Sequence, residues 1–269
     1  MDLAPTETAS GKILASAQDG VGLITFNQPE KRNAMSVEMW GGMTAILESW
    51  ERDPSVRVVV LTGAGDRAFV SGADISQFAK NRSNADAQIE YDKLTSAGRA
   101  KLAAFEKPVI ARIQGFCLGG GLSIAMQADL RVAGESSMFG IPAAKLGIAY
   151  GFDMVRRLIS VVGHAHARTL LFTGERIGAA EAQRIGLVNQ VVPDAELEST
   201  VATMARGIAA NAPLSVKGMK FILAQALRDP DDRDLAGVAQ AVSTCFDSAD
   251  YTEGRTAFME KRQAAFQGR

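Results

Sequence analysis

The stretch Ile110-Ala111-Arg112-Ile113-Gln114-Gly115-Phe116-Cys117-Leu118-Gly119-Gly120-Gly121-Leu122-Ser123-Ile124-Ala125-Met126 constrains this chain more than any other. It reads as a buried strand, a three-glycine turn and a helix of small residues. A helix start leaves backbone N–H groups unpaired and carries partial positive charge. Glycines leave those groups uncovered, so a ligand oxygen can reach the backbone directly. A triplet alone also fits a tight turn with no ligand, and a second stretch is needed to choose.

The chain around it alternates. Residues 12–17 and 21–26 flank Asp19-Gly20, a hairpin signal. Asn27-Gln28-Pro29-Glu30-Lys31-Arg32-Asn33-Ala34 is a polar loop. Ser36 caps a helix with Met39, Met43, Ile46, Leu47 and Trp50 on one face. Residues 56–61 form a β-branched apolar run, read as a buried strand. Residues 77–84 are polar, and 87–105 show helical periodicity that stops before Lys107-Pro108. Strands are predicted at 109–113, 129–133 and 138–139. Strands alternating with helices predict an α/β fold of parallel units. The second half reads as helices at 153–162, 164–172, 179–185, 195–210, 213–227, 235–248 and 252–265, with a short strand at 188–192.

Composition removes several function classes. The 269 residues are 47% hydrophobic with a net charge of -1, which suits a large core and argues against general nucleic-acid binding. No apolar run is long enough to span a bilayer. Residues 1–11 are polar, without the basic start and apolar stretch of a signal peptide, so a cytoplasmic protein with a loose N-terminal tail is expected. Cys117 and Cys245 are the only cysteines and lie far apart, which predicts free thiols. His164 and His166 are too few and too close for a zinc site with cysteines, so no metal is expected.

Two glycine-bearing stretches compete for function. Gly63-Ala64-Gly65-Asp66-Arg67-Ala68 fits the dinucleotide pattern GxGxxA, but no helix pattern opens there. Ser71-Gly72-Ala73-Asp74 pairs better with Gly119-Gly120-Gly121, since each follows a buried strand of parallel type. Such turns gather at the carboxyl ends of strands. Two N–H groups converging there on one carbonyl oxygen make an oxyanion hole.

On these residues the chain resembles the crotonase superfamily, the enoyl-CoA hydratase/isomerase family. The likeness runs through Asn27-Gln28-Pro29-Glu30-Lys31-Arg32-Asn33-Ala34-Met35, Ser71-Gly72-Ala73-Asp74-Ile75 and Lys107-Pro108-Val109-Ile110-Ala111. It continues through the glycine triplet, Ala128-Asp129-Leu130-Arg131-Val132-Ala133, Thr173-Gly174, Ala179-Ala180-Glu181-Ala182 with Gly186-Leu187-Val188, and Phe258-Met259-Glu260-Lys261-Arg262. The resemblance implies a ββα spiral core over 12–195 and a C-terminal helical region over 196–269 that builds trimers, often paired into hexamers. It implies an acyl-CoA thioester substrate, with coenzyme A as part of the substrate and no separate cofactor. The Ala73 and Gly120 N–H groups match the oxyanion-hole donors. Lys31 and Arg32 fall where the family contacts the CoA nucleotide, and Lys261 where a neighbouring subunit often reaches its phosphate. Ala34, Ser71, Asp74, Ile75 and Phe258 complete the expected binding set.

The resemblance breaks at the proton-transfer positions. Family hydratases carry one glutamate two residues after the triplet and another after the proline that follows the Phe-Gly pair, working as base and acid. Here Ser123 and Ala143 stand there. Tyr150, in Leu146-Gly147-Ile148-Ala149-Tyr150, resembles the tyrosine of the methylmalonyl-CoA decarboxylase branch, although that branch carries histidine where this chain has Ala73. Decarboxylase-like or other lyase or isomerase chemistry is therefore favoured over two-glutamate hydration. An ordinary hydratase working through unusual residues, and a non-catalytic acyl-CoA binder, stay open. Tyr150, Asp153 and Ser123 are the candidate catalytic side chains beside Ala73 and Gly120. The competing role of Tyr150 is a buried aromatic, that of Asp153 a helix N-cap, and that of Ser123 a small polar helix residue. Asp74 can set its turn by accepting N–H bonds. Cys117 has no histidine near it in sequence and reads as a buried thiol.

Overall fold

The computed structural model describes residues 6–74 and 85–269. The hairpin forms as the Asp-Gly pair dictates. β2 (Ile13–Gln18) and β3 (Val21–Phe26) pair antiparallel, with Asp19 and Gly20 both at positive φ. The expected N-terminal tail is in part a strand: β1 (Thr6–Thr8) pairs antiparallel with β2. Three polar residues at a sheet edge have no apolar alternation to announce them.

The main sheet then turns parallel. β4 (Val58–Gly63), β6 (Val109–Ile113), β8 (Leu130–Gly134) and β11 (Gln190–Val192) follow β3, giving the order β1-β2-β3-β4-β6-β8-β11. Val58, Val59, Val60 and Leu61 are all buried, as a strand covered on both faces requires. One face packs into the main core with α1 (Val37–Arg52). The other face presents Val58, Val60, Ile110 and Val132 to Leu197, Val201, Ala205 and Ala209 of α6 (Leu197–Ala210).

The Ser36 side chain caps α1 by accepting from the Met39 N–H. Trp40 is buried with Met39, Met43, Ile46 and Leu47, while Trp50 is half-buried, its indole lying against Gly22. The Lys107 ammonium closes the far end of α1, donating to the carbonyls of Trp50, Asp53 and Val56.

A second sheet was only partly legible. β5 (Ala68–Val70), β7 (Phe116–Leu118), β9 (Met138–Gly140) and β10 (Arg176–Gly178) form the order β10-β9-β7-β5, with β5, β7 and β9 parallel. The strand predicted to run into the glycine triplet is two strands, β6 and β7, separated by Gly115 at φ +68°. Three-residue strands are too short to register a period of two.

The remaining helices are α2 (Ala85–Ala104), α3 (Gly120–Gln127), α4 (Phe152–Thr173), α5 (Ala179–Arg184), α7 (Pro213–Ala226), α8 (Leu235–Phe246) and α9 (Ala249–Glu260). Gly163 breaks α4 with φ +72°, which agrees with the two helices expected on either side of it. The N-cap of α4 is Gly151, not Asp153, which lies exposed in the first turn. The last helix stops at Glu260, with Lys261 left-handed, short of the predicted residue 265.

Candidate active site

The site lies where β5 and β7 end, on the small sheet. Its geometry starts with three glycines that do different things. Gly119 takes φ +51°, ψ -114° as the N-cap of α3, a conformation L side chains rarely adopt. Gly121 is pressed onto β5: a Cβ there would lie 1.9 Å from the Val70 carbonyl oxygen. Gly120 faces the other turn, and a Cβ built on it would lie 3.5 Å from the Ala73 nitrogen. Gly120 also opens α3, so its N–H has no acceptor in a preceding helical turn.

Ala73 is aimed by its neighbours. Met35 donates its N–H to the Gly72 carbonyl at 2.8 Å and accepts from the Asp74 N–H at 2.9 Å. In such a parallel bridge the intervening residue turns its own N–H and C=O away from the partner strand. The Ala73 N–H therefore faces the Gly120 side. Tyr150 comes to the same place from the loop before α4, its hydroxyl 3.3 Å from a Cβ built on Gly119. Its ring packs on the main core. Ser123 is half-buried in the first turn of α3 and donates its N–H to the Gly119 carbonyl. Ala143 is buried beside the site's rim and begins the short turn Ala144–Leu146. Ala73, Gly120 and Tyr150 are thus brought together, while Asp153 projects from the exposed first turn of α4.

The loop before Met35 is held by Asn33, which the sequence reading missed. Its side chain is fully buried, its amide donates to the carbonyls of Ala64 (3.0 Å) and Ala68 (2.7 Å), and its Oδ1 accepts from the Gln28 N–H. Arg32 and Asn33 both have positive φ, a conformation asparagine tolerates better than most residues. The signal was an asparagine directly after a charged pair in a loop that must curl back. Ser71 docks on this loop through its N–H to the Arg32 carbonyl. Ala34 is buried, with its carbonyl accepting from the Gln28 amide.

Among the expected CoA contacts, Lys31 is committed: its ammonium sits 2.9 Å from a carboxylate oxygen of the buried Asp74. Asp74 thus ties its turn to the loop before Met35 through Lys31. Arg32 is exposed, its guanidinium carbon 5.4 Å from the Phe116 ring centre. Ile75 lies outside the described residues. Phe258 and Lys261 stand at the end of α9, exposed, and nothing joins them to this loop among the described residues.

Other candidates fall away on geometry. Cys117 points into the core, and burial pushes its thiol well above the usual range, so it stays protonated. His164 is exposed just after the α4 break. Gly63-Ala64-Gly65 forms the turn between β4 and β5, with no helix behind it, so the dinucleotide pattern is a coincidence of spacing. That turn lines a separate polar cavity of about 310 Å³ with Thr62, Arg112 and Glu198.

With this geometry in place, comparison with known proteins identifies the class. The enoyl-CoA hydratase/isomerase family model matches residues 16–269, and the chain belongs to that family. It is 39% identical to a short-chain-enoyl-CoA hydratase of Clostridium acetobutylicum over 254 residues, covering 93% of this chain and 95% of that protein. It is 38% identical to a crotonyl-CoA hydratase of Syntrophomonas wolfei, covering 94% and 97%. The crystal structure of an enoyl-CoA hydratase/carnithine racemase from Magnetospirillum magneticum superposes with a TM-score of 0.94 at 34% identity, covering 100% of this chain and 99% of that one. The α/β crotonase-like fold expected from the motifs is the fold observed.

Proposed function

We propose that this enzyme stabilises the enolate of an acyl-CoA thioester between the N–H groups of Ala73 and Gly120, and that its reaction is a decarboxylase-like lyase step rather than two-glutamate hydration. The observation that carries this reading is the meeting of Ala73, Gly120 and the Tyr150 hydroxyl at one turn, beside Ser123 and Ala143, which hold no carboxylate.

The chemistry follows from what these groups can do. The thioester oxygen accepts both N–H bonds. A carboxylate on the α-carbon leaves as carbon dioxide, its C–C bonding pair becoming the enolate that the two N–H groups hold. The α-carbon then takes a proton from a solvent water, whose hydroxide combines with the released carbon dioxide as bicarbonate, giving an acyl-CoA one carbon shorter. No general base is needed before the bond breaks, so the missing glutamates are no obstacle. The Tyr150 hydroxyl holds the departing carboxylate. The reaction needs no cofactor beyond the CoA of the substrate.

A second reading is ordinary hydration through other residues, and the hydratase names of the relatives at 38–39% identity favour it. Assay of the purified protein on methylmalonyl-CoA and crotonyl-CoA separates the two. The proposal expects decarboxylation that falls about 100-fold in Tyr150→Phe. Robust crotonyl-CoA hydration surviving both Tyr150→Phe and Asp153→Asn would sink it. Binding of CoA esters without turnover of any thioester would favour a non-catalytic binder.

The working unit we propose is a cytoplasmic homotrimer, or a pair of trimers. Among the described residues no helix is long and apolar enough to cross a membrane. Yet α8 buries none of its residues and exposes Leu235, Val242 and Phe246, and its neighbours expose Met219, Leu223, Phe258 and Met259. Large apolar side chains exposed in such number mark protein contact.

A further inference from the structure

We propose that Arg176 is a second phosphate-binding residue for the nucleotide end of the CoA thioester, acting with Arg32 at the Phe116 ring. The proposal rests on the acyl-CoA reading above and extends it to a residue outside the motifs.

The register of the small sheet sets the geometry. Leu118, Gly140 and Arg176 are cross-strand partners in one row, and Phe116 lies two residues before Leu118 on the same face. The alternate residues Cys117 and Phe139 fill the core on the other face. The outer face of this sheet is therefore a shallow floor running from Leu118 to Arg176.

A cavity of about 330 Å³ lies on that floor, lined by Leu118, Pro142, Lys145, Glu175 and Arg176 among others. One end adjoins the reacting turn: Leu118 directly precedes Gly119, and a Cβ on Gly119 would lie 4.0 Å from Pro142 and 3.3 Å from the Tyr150 hydroxyl. At the other end the Arg176 guanidinium carbon stands 5.3 Å from the Phe116 ring centre, and that of Arg32 stands 5.4 Å from the same centre. A single strip of surface thus joins the oxyanion-hole turn to a pair of arginines.

The electrostatics single out that pair. Lys31 is held by Asp74 at 2.9 Å, and Lys145 by Glu175 at 2.6 Å. Arg32 and Arg176 are both exposed, and neither forms an ion pair or a side-chain hydrogen bond among the described residues. The ring orients a guanidinium without using its N–H donors. Those donors remain for a phosphate, which guanidinium binds in bidentate fashion. A CoA arm running from the thioester over Leu118 and Pro142 brings its phosphates to these two side chains.

The test uses the full chain and a saturated, unreactive probe. Affinity for butyryl-CoA is measured by calorimetry, and for S-butyryl-pantetheine, which has no phosphate, by ligand-observed NMR at millimolar concentration. Arg176→Gln is expected to weaken butyryl-CoA binding about tenfold, the scale of a lost charged hydrogen bond. It should leave butyryl-pantetheine unchanged, and Arg176→Lys should recover part of the loss. Equal losses on both ligands, or none on butyryl-CoA, overturn the proposal. A wild-type protein that binds no butyryl-CoA overturns the acyl-CoA reading and this proposal with it. Wild-type binding that Arg176→Gln leaves intact overturns this proposal alone.

Discussion

Neighbouring glycines in the triplet answer to different physics, and substitution separates them. In Gly121→Ala the new methyl meets the Val70 carbonyl oxygen at 1.9 Å, and backbone must move. The expected cost is about 2–3 kcal/mol, a fall in Tm of roughly 5–10 °C by calorimetry. In Gly120→Ala the methyl lies at an ordinary 3.5 Å from the Ala73 nitrogen. Stability should be nearly unchanged, while the proposed oxyanion hole predicts that turnover falls about 100-fold or more, because the methyl would crowd the oxygen held between the two N–H groups. Asn33→Ala should be costly for another reason. It strands the Gln28 N–H and the Ala68 carbonyl in the interior and leaves the half-buried Ala64 carbonyl without its amide donor. Urea unfolding should show a loss of about 3 kcal/mol, and KM for a CoA thioester should rise because Arg32 is the adjacent residue.

At the scale of elements, the segment after α9 is held by charge. Glu253 accepts bidentate hydrogen bonds from Arg262 and a further one from the Ala265 N–H. The Arg262 guanidinium, first among its partners, holds the Glu253 carboxyl down from 4.5 to about 2. A carboxyl whose pKa is depressed by folding stabilises above its unfolded value and loses that contribution as pH falls. Exchange of the Ala265 amide should therefore accelerate as pH is lowered from about 4.5 towards 2, relative to a core amide such as Val59. In Glu253→Gln the acceleration should be absent. Such ends behave as local opening units, because few apolar contacts hold them.

The whole molecule is shaped by an apolar surface that one chain leaves bare. Leu223, Leu235, Phe246 and Phe258 are each at least 60% exposed. A trimer that covers them should run in light scattering at three times the 28.5 kDa chain mass. Leu223→Lys should shift the population toward monomer, since an unpaired charge in an apolar contact is unfavourable. A wild-type monomer at micromolar concentration would refute the assembly.

The sequence alone determined what local chemistry dictates. Asp19-Gly20 fixed a hairpin because both positions need positive φ, and Ser36 fixed the start of α1 through its cap. The run 58–61 announced a strand buried on both faces. The glycine triplet announced a helix start, and the turn that carries Ala73 lies against it as the pairing of the two stretches predicts. Short strands such as β5, β7 and β10 were beyond such reading, since three residues hold no period. Asp153 looked like a cap from its type and position, yet the chain's entry angle gave that place to Gly151. Only tertiary structure decided that the Lys31 ammonium is spent on Asp74, that Asn33 ties the loop before Met35 to the turn after β4, and that Arg176 reaches the ring beside Arg32. Each of these depends on where strands distant in sequence lie side by side. The period of a strand or helix is written into the chain, whereas the partner of a side chain is chosen by packing.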